Sequence, residues 1–261
     1  MTLYAGLDIG SAMAKAVLVD GDGALRAHVI TPSGGNLVQS AERVLAAALA
    51  EIGAAECDIA ALISTGYGRE SVAKKTKSVT EIACHARGAH ATFADARAVI
   101  DIGGQDLKAI SLDANGAVRK FEMNDKCAAG TGRFLQVMAR TLEVPLAEFG
   151  QRALAADAPA KISSTCTVFA ESEVISLIAQ GMPVARILSG LCLAISQRVT
   201  ALAARVGLAP RVIMTGGVAK NEGVVRAIEQ AIALQITVPA EPQIMGAYGA
   251  ALLARAGDRK V

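Results

Sequence analysis

The chain has 261 residues and a formal net charge of +2, with 52% hydrophobic and 19% charged residues. This length suits one large or two small domains with a substantial core. A nearly neutral chain without a dense Lys/Arg run gives no support to electrostatic binding of nucleic acid. Aromatic residues make up 3% and tryptophan is absent, so we expect a core of Ala, Val, Ile and Leu.

The N-terminal segment lacks a basic stretch and places Asp8 inside its first apolar run, so we expect no signal peptide. No run of about 18 apolar residues is evident, so we expect no membrane span. The protein is therefore expected to be cytoplasmic. Its five cysteines, without a C-x-x-C pair, then favour reduced thiols or metal ligation over disulfides.

One pattern occurs twice, at residues 7–25 and 100–118. Each copy is an apolar strand ending in Asp-Ile-Gly, a polar turn, a second apolar strand and a hairpin of Asp, Asn or Gly residues. Among the matching positions are five polar or glycine residues, which pair as Asp8 with Asp101, Gly10 with Gly103, Lys15 with Lys108, Asp20 with Asp113 and Gly23 with Gly116.

Apolar spacing predicts alternating helices and strands along the rest of the chain. Before the second copy it predicts helices at residues 40–52 and 81–90 and a strand at 59–64 that enters a glycine-rich loop. After it, the predicted elements are helices at residues 133–142, 168–180, 184–206, 221–233 and 246–254, with strands at 212–214 and near 236–239.

We expect a domain boundary near residue 95. Residues 1–95 would form a first lobe, with the terminal segment 246–261 packing back on it. Residues 96–245 would form a second lobe that carries two cysteines of interest, Cys127 and Cys166.

The repeated turn has the chemistry of a phosphate site. Glycines let backbone N–H groups approach phosphate oxygens, and an aspartate can hold a hydrated cation beside them, so Mg²⁺-ATP suits both features. Two ordinary hairpins are the alternative, and two copies in register argue against it.

This organisation resembles the superfamily of actin, sugar kinases and large heat-shock chaperones. The resemblance implies an α/β fold, the duplicated two-lobe actin-like ATPase fold with ribonuclease H-like lobes and ATP between them. It makes residues 8–15 and 101–108 the two phosphate loops and 215–219 the adenosine loop. A Thr-Gly-Gly turn alone is a weak signal, whereas three such segments in this order are a strong one.

Cys127 and Cys166 each precede a predicted helix, where unpaired N–H groups and the helix dipole stabilise a thiolate. A 4Fe-4S cluster takes four thiolates, so two cysteines per chain would close a site only between two chains on a two-fold axis. Two inert buried cysteines are the alternative. We expect Cys57, Cys84 and Cys192 to be structural. A metal site of Cys84 with His85 and His90 is disfavoured, because adjacent positions face different sides of a helix.

The chain resembles the ATP-dependent activators of 2-hydroxyacyl-CoA dehydratases and, nearly as closely, the ATPase subunits of benzoyl-CoA reductases. The segments that carry this resemblance are residues 62–69, 100–108, 124–135, 163–175 and 214–221. The resemblance covers essentially the whole chain. It implies that Cys127 and Cys166 hold one 4Fe-4S cluster per homodimer.

The expected nucleotide site places Asp8 and Asp101 at Mg²⁺, Lys15 at the phosphates and Gln105 beside the attacking water. Lys15 and Gln105 could instead be turn formers or solvated surface. Further contacts to ATP or ADP are expected from backbone and small side chains at Gly10, Ser11, Ala12, Gly103, Gly104, Gly130, Thr131, Gly132, Gly216, Gly217 and Val218.

The resemblance also implies transfer of a low-potential electron to an iron–sulfur enzyme that acts on a CoA ester, supplied by a donor such as ferredoxin or flavodoxin. The competing functions are the ATPase subunit of a benzoyl-CoA reductase, an actin-fold small-molecule kinase and a zinc-bridged dimer without activity. Neither phosphate loop is accompanied by an evident base for a sugar hydroxyl, which favours ATP hydrolysis by water.

Overall fold

The computed structural model describes residues 1–124, 127–162 and 167–258. Two five-stranded sheets make up its framework, with strand orders β3-β2-β1-β4-β5 and β10-β9-β6-β7-β8. The strands are β1 (Leu3–Ile9), β2 (Met13–Asp20), β3 (Leu25–Pro32), β4 (Ile59–Thr65), β5 (Lys77–Ser78), β6 (Ala98–Ile102), β7 (Leu107–Leu112), β8 (Val118–Asn124), β9 (Val212–Thr215) and β10 (Ile236–Thr237). The helices are α1 (Leu37–Glu51), α2 (Glu81–Thr92), α3 (Gly132–Thr141), α4 (Phe149–Leu154), α5 (Thr167–Ala179), α6 (Val184–Val206), α7 (Glu222–Ile232) and α8 (Met245–Asp258).

The two sheets have the same topology. In each, a central strand pairs antiparallel with the strand that follows it and parallel with a strand that comes later in the chain. Asp8 lies opposite Lys15 on one side and Thr65 on the other, and Asp101 lies opposite Lys108 and Thr215. The duplication read from the hairpins therefore extends to the Thr-Gly turns after β4 and β9.

Both central strands are buried along their whole length, which explains their continuous apolar sequences. Helix α1 packs on one face of the first sheet and α8 on the other. On the second sheet, α3, α4, α5, α6 and α7 contribute to the core on one face, while α2 packs on the other. The Asp-Ile-Gly segments at the ends of both central strands are therefore held in place by helices on both faces of each sheet.

Helices α2 and α8 lie between the two sheets and cross each other closely. A Cβ atom at Gly88 would lie 2.2 Å from the Met245 carbonyl oxygen, and one at Gly249 would lie 1.8 Å from that of Cys84. The domain boundary predicted near residue 95 falls in the connection between α2 and β6. The division into domains stays a prediction.

Most predicted elements are present, with ends that differ by a few residues, and α6 has the predicted bounds. The prediction omitted β3, β5, β8 and α4. Strand β8 is exposed along most of its length and carries Arg119, Lys120 and Glu122, so it lacks the apolar pattern of a buried strand. Helix α4 spans only six residues, too few for a clear helical periodicity.

Within the described part of the chain, one helix, α6, is long and apolar enough to cross a membrane by length and composition. Half of its most apolar window is buried inside the protein. Ile187, Leu191, Ile195 and Val199 form a buried stripe on it and join the core of the second sheet. Packing in this fold therefore accounts for the apolar composition of α6.

Candidate nucleotide site

A cleft of about 630 Å³ lies between the two sheets, where the ends of β1 and β6 face each other. Most of the predicted nucleotide residues line it: Asp8, Gly10, Ser11, Ala12, Lys15, Asp101, Gly103, Gly104, Gln105, Gly132, Gly216, Gly217 and Val218. Gly130 and Thr131 are buried and are not among the lining residues, so their contact with a nucleotide stays a prediction. Cys127 lies outside the lining, and Cys166 lies outside the described residues.

Cross-strand pairing brings an aspartate and a lysine together in the first sheet. The Nζ atom of Lys15 lies 2.9 Å from Oδ2 of Asp8. The Lys15 side chain is 14% exposed and lines the cleft, so its ammonium group can reach an anion there while Asp8 fixes its position.

The equivalent pair in the second sheet is buried and larger. Nζ of Lys108 lies 2.6 Å from Glu81, 3.2 Å from Asp101 and 2.8 Å from Asp106, and the side chain is 1% exposed. Burial acts to lower the pKa of Lys108, but the three carboxylates outweigh it, so the net shift is upward. Lys108 therefore stays charged and joins α2 to the second hairpin.

Asp101 is held as a carboxylate by its neighbours. The Thr215 hydroxyl donates to its Oδ1 at 2.9 Å, and Nδ1 of His85 lies 3.4 Å from the same oxygen. Burial alone would raise the pKa of Asp101, but His85, Lys108 and the Thr215 hydrogen bond together lower it to about 2.

Glu81, His85, Asp106 and Lys108 are functional candidates that the sequence analysis missed. Lys108 could have been found from its match to Lys15 in the repeat. Glu81 and His85 are four residues apart on one helix, a spacing that places both on one face. His85 entered the prediction only in the disfavoured metal site with Cys84 and His90, and the Cys84 side chain is buried in the core.

Hydrogen bonds to carbonyl groups fix the orientation of both phosphate loops. We define these loops as residues 10–12 and 103–106. The Ser33 hydroxyl donates to the Gly10 carbonyl at 2.6 Å. At the start of α3, the N–H groups of Gly132 and Arg133 donate to the carbonyls of Gly103 at 2.8 Å and Gly104 at 2.9 Å.

A peptide unit is planar and its C=O and N–H point in opposite directions. Fixing the Gly10 and Gly104 carbonyls therefore turns the N–H groups of Ser11 and Gln105 the opposite way. Both residues line the cleft, and within the described structure neither N–H donates a hydrogen bond. Such free, oriented N–H groups are suited to binding phosphate oxygens.

Two glycines pack directly against the two aspartates of the site. Gly66 has φ +90° and Gly216 has φ +85°. A Cβ atom at Gly66 would lie 2.5 Å from Oδ1 of Asp8, and one at Gly216 would lie 2.8 Å from Oδ1 of Asp101. A side chain at either position would strain the backbone and displace an aspartate.

The other end of the cleft is suited to a base. Leu135, Leu146, Ala147 and Val218 provide apolar surface there. Asn221 also lines the cleft. Its side-chain oxygen accepts from Val224 N–H, whereas its buried amide nitrogen has no hydrogen-bond partner among the described residues. That nitrogen is a spare donor for a nucleoside.

The charge of the inner cleft favours a nucleotide accompanied by a cation. Four carboxylates, those of Asp8, Glu81, Asp101 and Asp106, form their ion pairs with the two ammonium groups of Lys15 and Lys108. Lys220 also lines the cleft, but it pairs with Glu241. Carboxylate oxygens of Glu81, Asp101 and Asp106 all lie within 4.8 Å of one another. A polyphosphate entering this negative site would be repelled unless a divalent cation came with it.

The described cysteines differ sharply in environment. Cys84 and Cys192 are buried, and burial raises the pKa of each thiol to about 12, so neither is a ready thiolate ligand. Cys57 is exposed on a short turn before β4. Cys127 is half-buried in the loop before α3, where its carbonyl accepts from the Asn124 amide at 3.5 Å.

Two duplicated lobes with paired Asp–Lys hairpins around an inter-lobe cleft define an actin-like ATPase. The sequence match to known families agrees with this fold. The chain belongs to the BadF/BadG/BcrA/BcrD ATPase family, whose model matches residues 5–254. The expected fold class, family and ATPase assignment are thus confirmed.

Three relatives illustrate the match. The chain is 47% identical over 256 residues to the activator of lactoyl-CoA dehydratase of Anaerotignum propionicum, covering 98% of each chain. A solved structure of the activator of the 2-hydroxyisocaproyl-CoA dehydratase from Clostridium difficile with bound ADPNP has a TM-score of 0.95 at 43% identity, with 99% of this chain and 96% of that chain covered. A benzoyl-CoA reductase subunit of Thauera aromatica is 34% identical, with 100% and 99% covered.

Proposed function

We propose that the protein is an ATP-hydrolysing iron–sulfur electron carrier that activates a 2-hydroxyacyl-CoA dehydratase. The observation that carries this proposal is the direct backbone connection from the second phosphate loop to α3 and the Cys127 loop that precedes it. A nucleotide site and a candidate cluster ligand thereby share one structural unit. The similarity over nearly the whole chain to the activators of lactoyl-CoA dehydratase and of 2-hydroxyisocaproyl-CoA dehydratase supports the same function.

In the nucleotide site, the N–H groups of Ser11 and Gln105 would bind phosphate oxygens, and Lys15 would neutralise phosphate charge. The exposed Gln105 side chain would orient the attacking water. Asp8 and Asp101 would face a nucleotide-bound Mg²⁺ while fixing their lysines. Mg²⁺ neutralises charge that develops at the phosphates during hydrolysis. The amide of Asn221 would donate to the nucleoside.

Cys127 suits a cluster ligand better than the other described cysteines. It is half-buried, close to the start of α3, and lacks the burial that keeps Cys84 and Cys192 protonated. With Cys166 it would provide two thiolates, so a second copy of the chain would be needed to complete the set. A 4Fe-4S cluster supplies a one-electron carrier whose potential depends on its surroundings.

Helix α5, which follows Cys166, offers a surface for that second copy. Val168 and Phe169 are 67% and 69% exposed, and Ile175 and Ile178 are also exposed. Ser172, Ser176 and Ala179 are exposed as well, and the two glutamates of α5, Glu171 and Glu173, are partly exposed. An exposed helix face rich in apolar side chains is typical of protein interfaces.

The remaining partners follow from the proposed chemistry. An electron donor such as ferredoxin or flavodoxin would reduce the protein in the cytoplasm, where thiols stay reduced. The acceptor would be an iron–sulfur dehydratase. The similarity to the benzoyl-CoA reductase subunit supports a second candidate function, the ATPase component of such a reductase.

Anaerobic purification followed by iron and sulfide analysis tests the proposal. We expect about four iron and four sulfide ions per dimer. Cys127→Ser and Cys166→Ser should each abolish iron binding while nucleotide binding persists, and Cys57→Ser should leave iron unchanged as the control. Electron delivery to a dehydratase rather than a reductase would then separate the two candidates.

Contrary results would be informative. Full iron content in Cys166→Ser would contradict a cluster bridged by two chains. A colourless protein that retains activity in air and phosphorylates an acceptor would instead be a small-molecule kinase. Bound zinc without ATP hydrolysis would indicate a structural dimer.

A further inference from the structure

Thr131 occupies an unusual position between the nucleotide site and the cysteine loop. It is fully buried, and its hydroxyl lies 3.1 Å from the Gly104 carbonyl and 2.6 Å from the Ala128 carbonyl. Thr131 is the N-cap of α3, yet its side chain does not accept from the N–H groups of that helix. A threonine at an N-cap ordinarily does so. Its hydroxyl faces two carbonyls instead.

The two carbonyls belong to different functional segments. Gly104 is in the second phosphate loop. Ala128 begins the cysteine turn, which we define as residues 128–131 and which follows Cys127 directly. The Thr131 N–H also donates to the Ala128 carbonyl, at 3.0 Å, so the hydroxyl provides a second bond that closes this turn.

A hydroxyl has one proton and can donate it to one acceptor at a time with good geometry. The shorter distance indicates that the hydroxyl donates its hydrogen bond to the Ala128 carbonyl in this arrangement. The Gly104 carbonyl then relies on Arg133 N–H, at 2.9 Å. Competition between the two carbonyls depends on which is the stronger acceptor.

Phosphate binding would change that competition. The Gly104 carbonyl and the Gln105 N–H belong to the same peptide unit. When the N–H donates to an anion, the peptide is polarised and its carbonyl becomes a better acceptor. A phosphate bound at the Gln105 N–H would therefore make the Thr131 hydroxyl donate to the Gly104 carbonyl instead of the Ala128 carbonyl. Loss of the bond to Ala128 would weaken the cysteine turn.

We propose that Thr131 is a positioning residue that transmits occupancy of the second phosphate loop to the cysteine turn. This inference rests on the proposed nucleotide site and adds to it the residue and the direction of the coupling. Because Gln105 is proposed to orient the water that attacks the terminal phosphate of ATP, its N–H would meet that phosphate. ATP then loosens the turn beside Cys127, and ADP leaves it closed.

Ser33 provides a matched control. Its hydroxyl donates to the Gly10 carbonyl of the first phosphate loop at 2.6 Å. The Thr131 hydroxyl has the equivalent position beside the Gly104 carbonyl of the second loop. Ser33 lies before α1, and its N–H donates to the Ala12 carbonyl of the same loop. It is therefore a hydroxyl on a phosphate loop without a bond to the cysteine turn.

The test measures the alkylation rate of Cys127 in the full-length, metal-free protein by peptide mass spectrometry. The measurement is made with saturating ADP or a non-hydrolysable ATP analogue, and nucleotide affinity is measured in the same samples. We expect alkylation to be about two- to tenfold faster with the ATP analogue, the scale of one hydrogen bond. At saturation with each nucleotide, Thr131→Val should lose the difference, whereas Thr131→Ser should keep it. Ser33→Ala should bind nucleotide more weakly but keep the difference at saturation.

Each outcome bears on the proposal. Thr131→Val with the wild-type difference, or Thr131→Ser without it, would overturn the role of the hydroxyl. Loss of the difference in Ser33→Ala at saturation would show that any perturbed phosphate loop has this effect and would also overturn it. If the wild-type protein binds neither nucleotide, the proposed function fails first. Because no cluster is present in the assay, the result is independent of iron binding.

Discussion

The two Asp–Lys pairs have the same place in the duplicated hairpins but different surroundings. Lys15 contacts one carboxylate and borders the cleft, whereas Lys108 is enclosed by three. The first pair can therefore respond to a ligand, while the second ties α2 to the second sheet. Duplication supplied two equivalent positions, and the neighbouring Glu81 and Asp106 enclose the lysine of the second pair but not that of the first.

Replacing either Asp8 or Asp101 by Asn should impair Mg²⁺-dependent ATP hydrolysis by about 10²-fold or more, the scale of removing a key electrostatic group from an active site. Each substitution removes a negative charge that fixes a lysine and faces the cation. Steady-state phosphate release under anaerobic conditions measures the effect. Iron content should stay unchanged, because no thiolate is altered.

Asp20→Asn is the control for these variants. Asp20 belongs to the same repeat but closes the distant end of the first hairpin, where its side chain accepts from the N–H groups of Asp22 and Ala24. Hydrolysis should be normal in this variant. Near-normal turnover in both Asp8→Asn and Asp101→Asn would remove these residues from the active site.

Lys108→Met should lower the free energy of unfolding by about 3–5 kcal/mol, the cost of leaving a buried charge without its partner. Lys15→Met should cost clearly less, because that side chain borders the cleft and solvent can screen the carboxylate left behind. Denaturant unfolding of both variants gives the comparison. Equal losses would indicate that the three-carboxylate contact around Lys108 contributes no extra stability.

Glu81 predicts a dependence of stability on pH. Burial, with Asp8 and Asp106 nearby, raises its pKa despite the attraction of Lys108. The folded state thus binds this proton more tightly than the unfolded chain does. The corresponding stability is fully present below the ordinary carboxyl pKa and is lost as pH rises through the raised value.

Glu81→Gln should therefore show a smaller loss of stability than the wild type as pH rises above the ordinary carboxyl pKa. Unfolding titrations across this range measure the slope. Glu148→Gln, at an exposed i,i+4 pair with Arg152, should keep the wild-type slope. A wild-type slope in Glu81→Gln would assign the pH dependence to another group.

At the scale of elements, the sequence was most informative where chemistry and periodicity coincide. The bounds of α6 were predictable because its apolar stripe repeats over many turns. The paired Asp-Ile-Gly segments predicted two turns at one site, and both turns line the cleft. Strand β8 was not predictable, since an exposed edge strand has no buried face to impose alternation.

The site residues that were missed depend on tertiary contacts. Glu81 approaches Lys108 only because α2 packs on the second sheet, and a helical segment does not reveal which sheet it will contact. Likewise, the double contact of the Thr131 hydroxyl follows from the way the second phosphate loop meets α3. No local pattern encodes these contacts.

Helix α5 has an exposed apolar side that no other described element of the chain covers. Ala170 and Val174 bury one side of it against the core, and the opposite side exposes Phe169 and Val168. Covering that side would remove apolar surface from water, which favours association. The helix is thus expected to be an interface element rather than a purely structural one.

Phe169→Asp should weaken self-association by at least about tenfold, because it places a charge in an apolar contact. Sedimentation of the anaerobic protein over a concentration series measures the change. Leu154→Asp provides the control, since Leu154 is also an exposed apolar side chain but lies on α4. Equal weakening in both variants, or none in Phe169→Asp, would place the interface elsewhere.

At the scale of the whole molecule, α2 and α8 join the two sheets. They cross with backbone in close contact at Gly88 and Gly249, and Lys108 anchors the start of α2 to the second hairpin. Nucleotide in the cleft would contact loops from both sheets. Closure around it would therefore rotate one sheet against the other about this helix pair, carrying α3 and the Cys127 loop with the second sheet.

This motion should be detectable at the cluster of the proposed homodimer. An iron chelator should extract iron from the anaerobic protein at different rates in the nucleotide-free, ADP-bound and ATP-analogue-bound forms. Exposure to air should bleach the cluster, release iron and weaken the dimer by removing its shared ligand, because an electron carrier must hold its cluster near the surface. In Asp8→Asn protein, which keeps the cluster, the nucleotide dependence should shrink as nucleotide contacts are lost. Identical extraction rates in all three forms of the wild-type protein would mean that the ATPase and the cluster are not coupled, even if each is present.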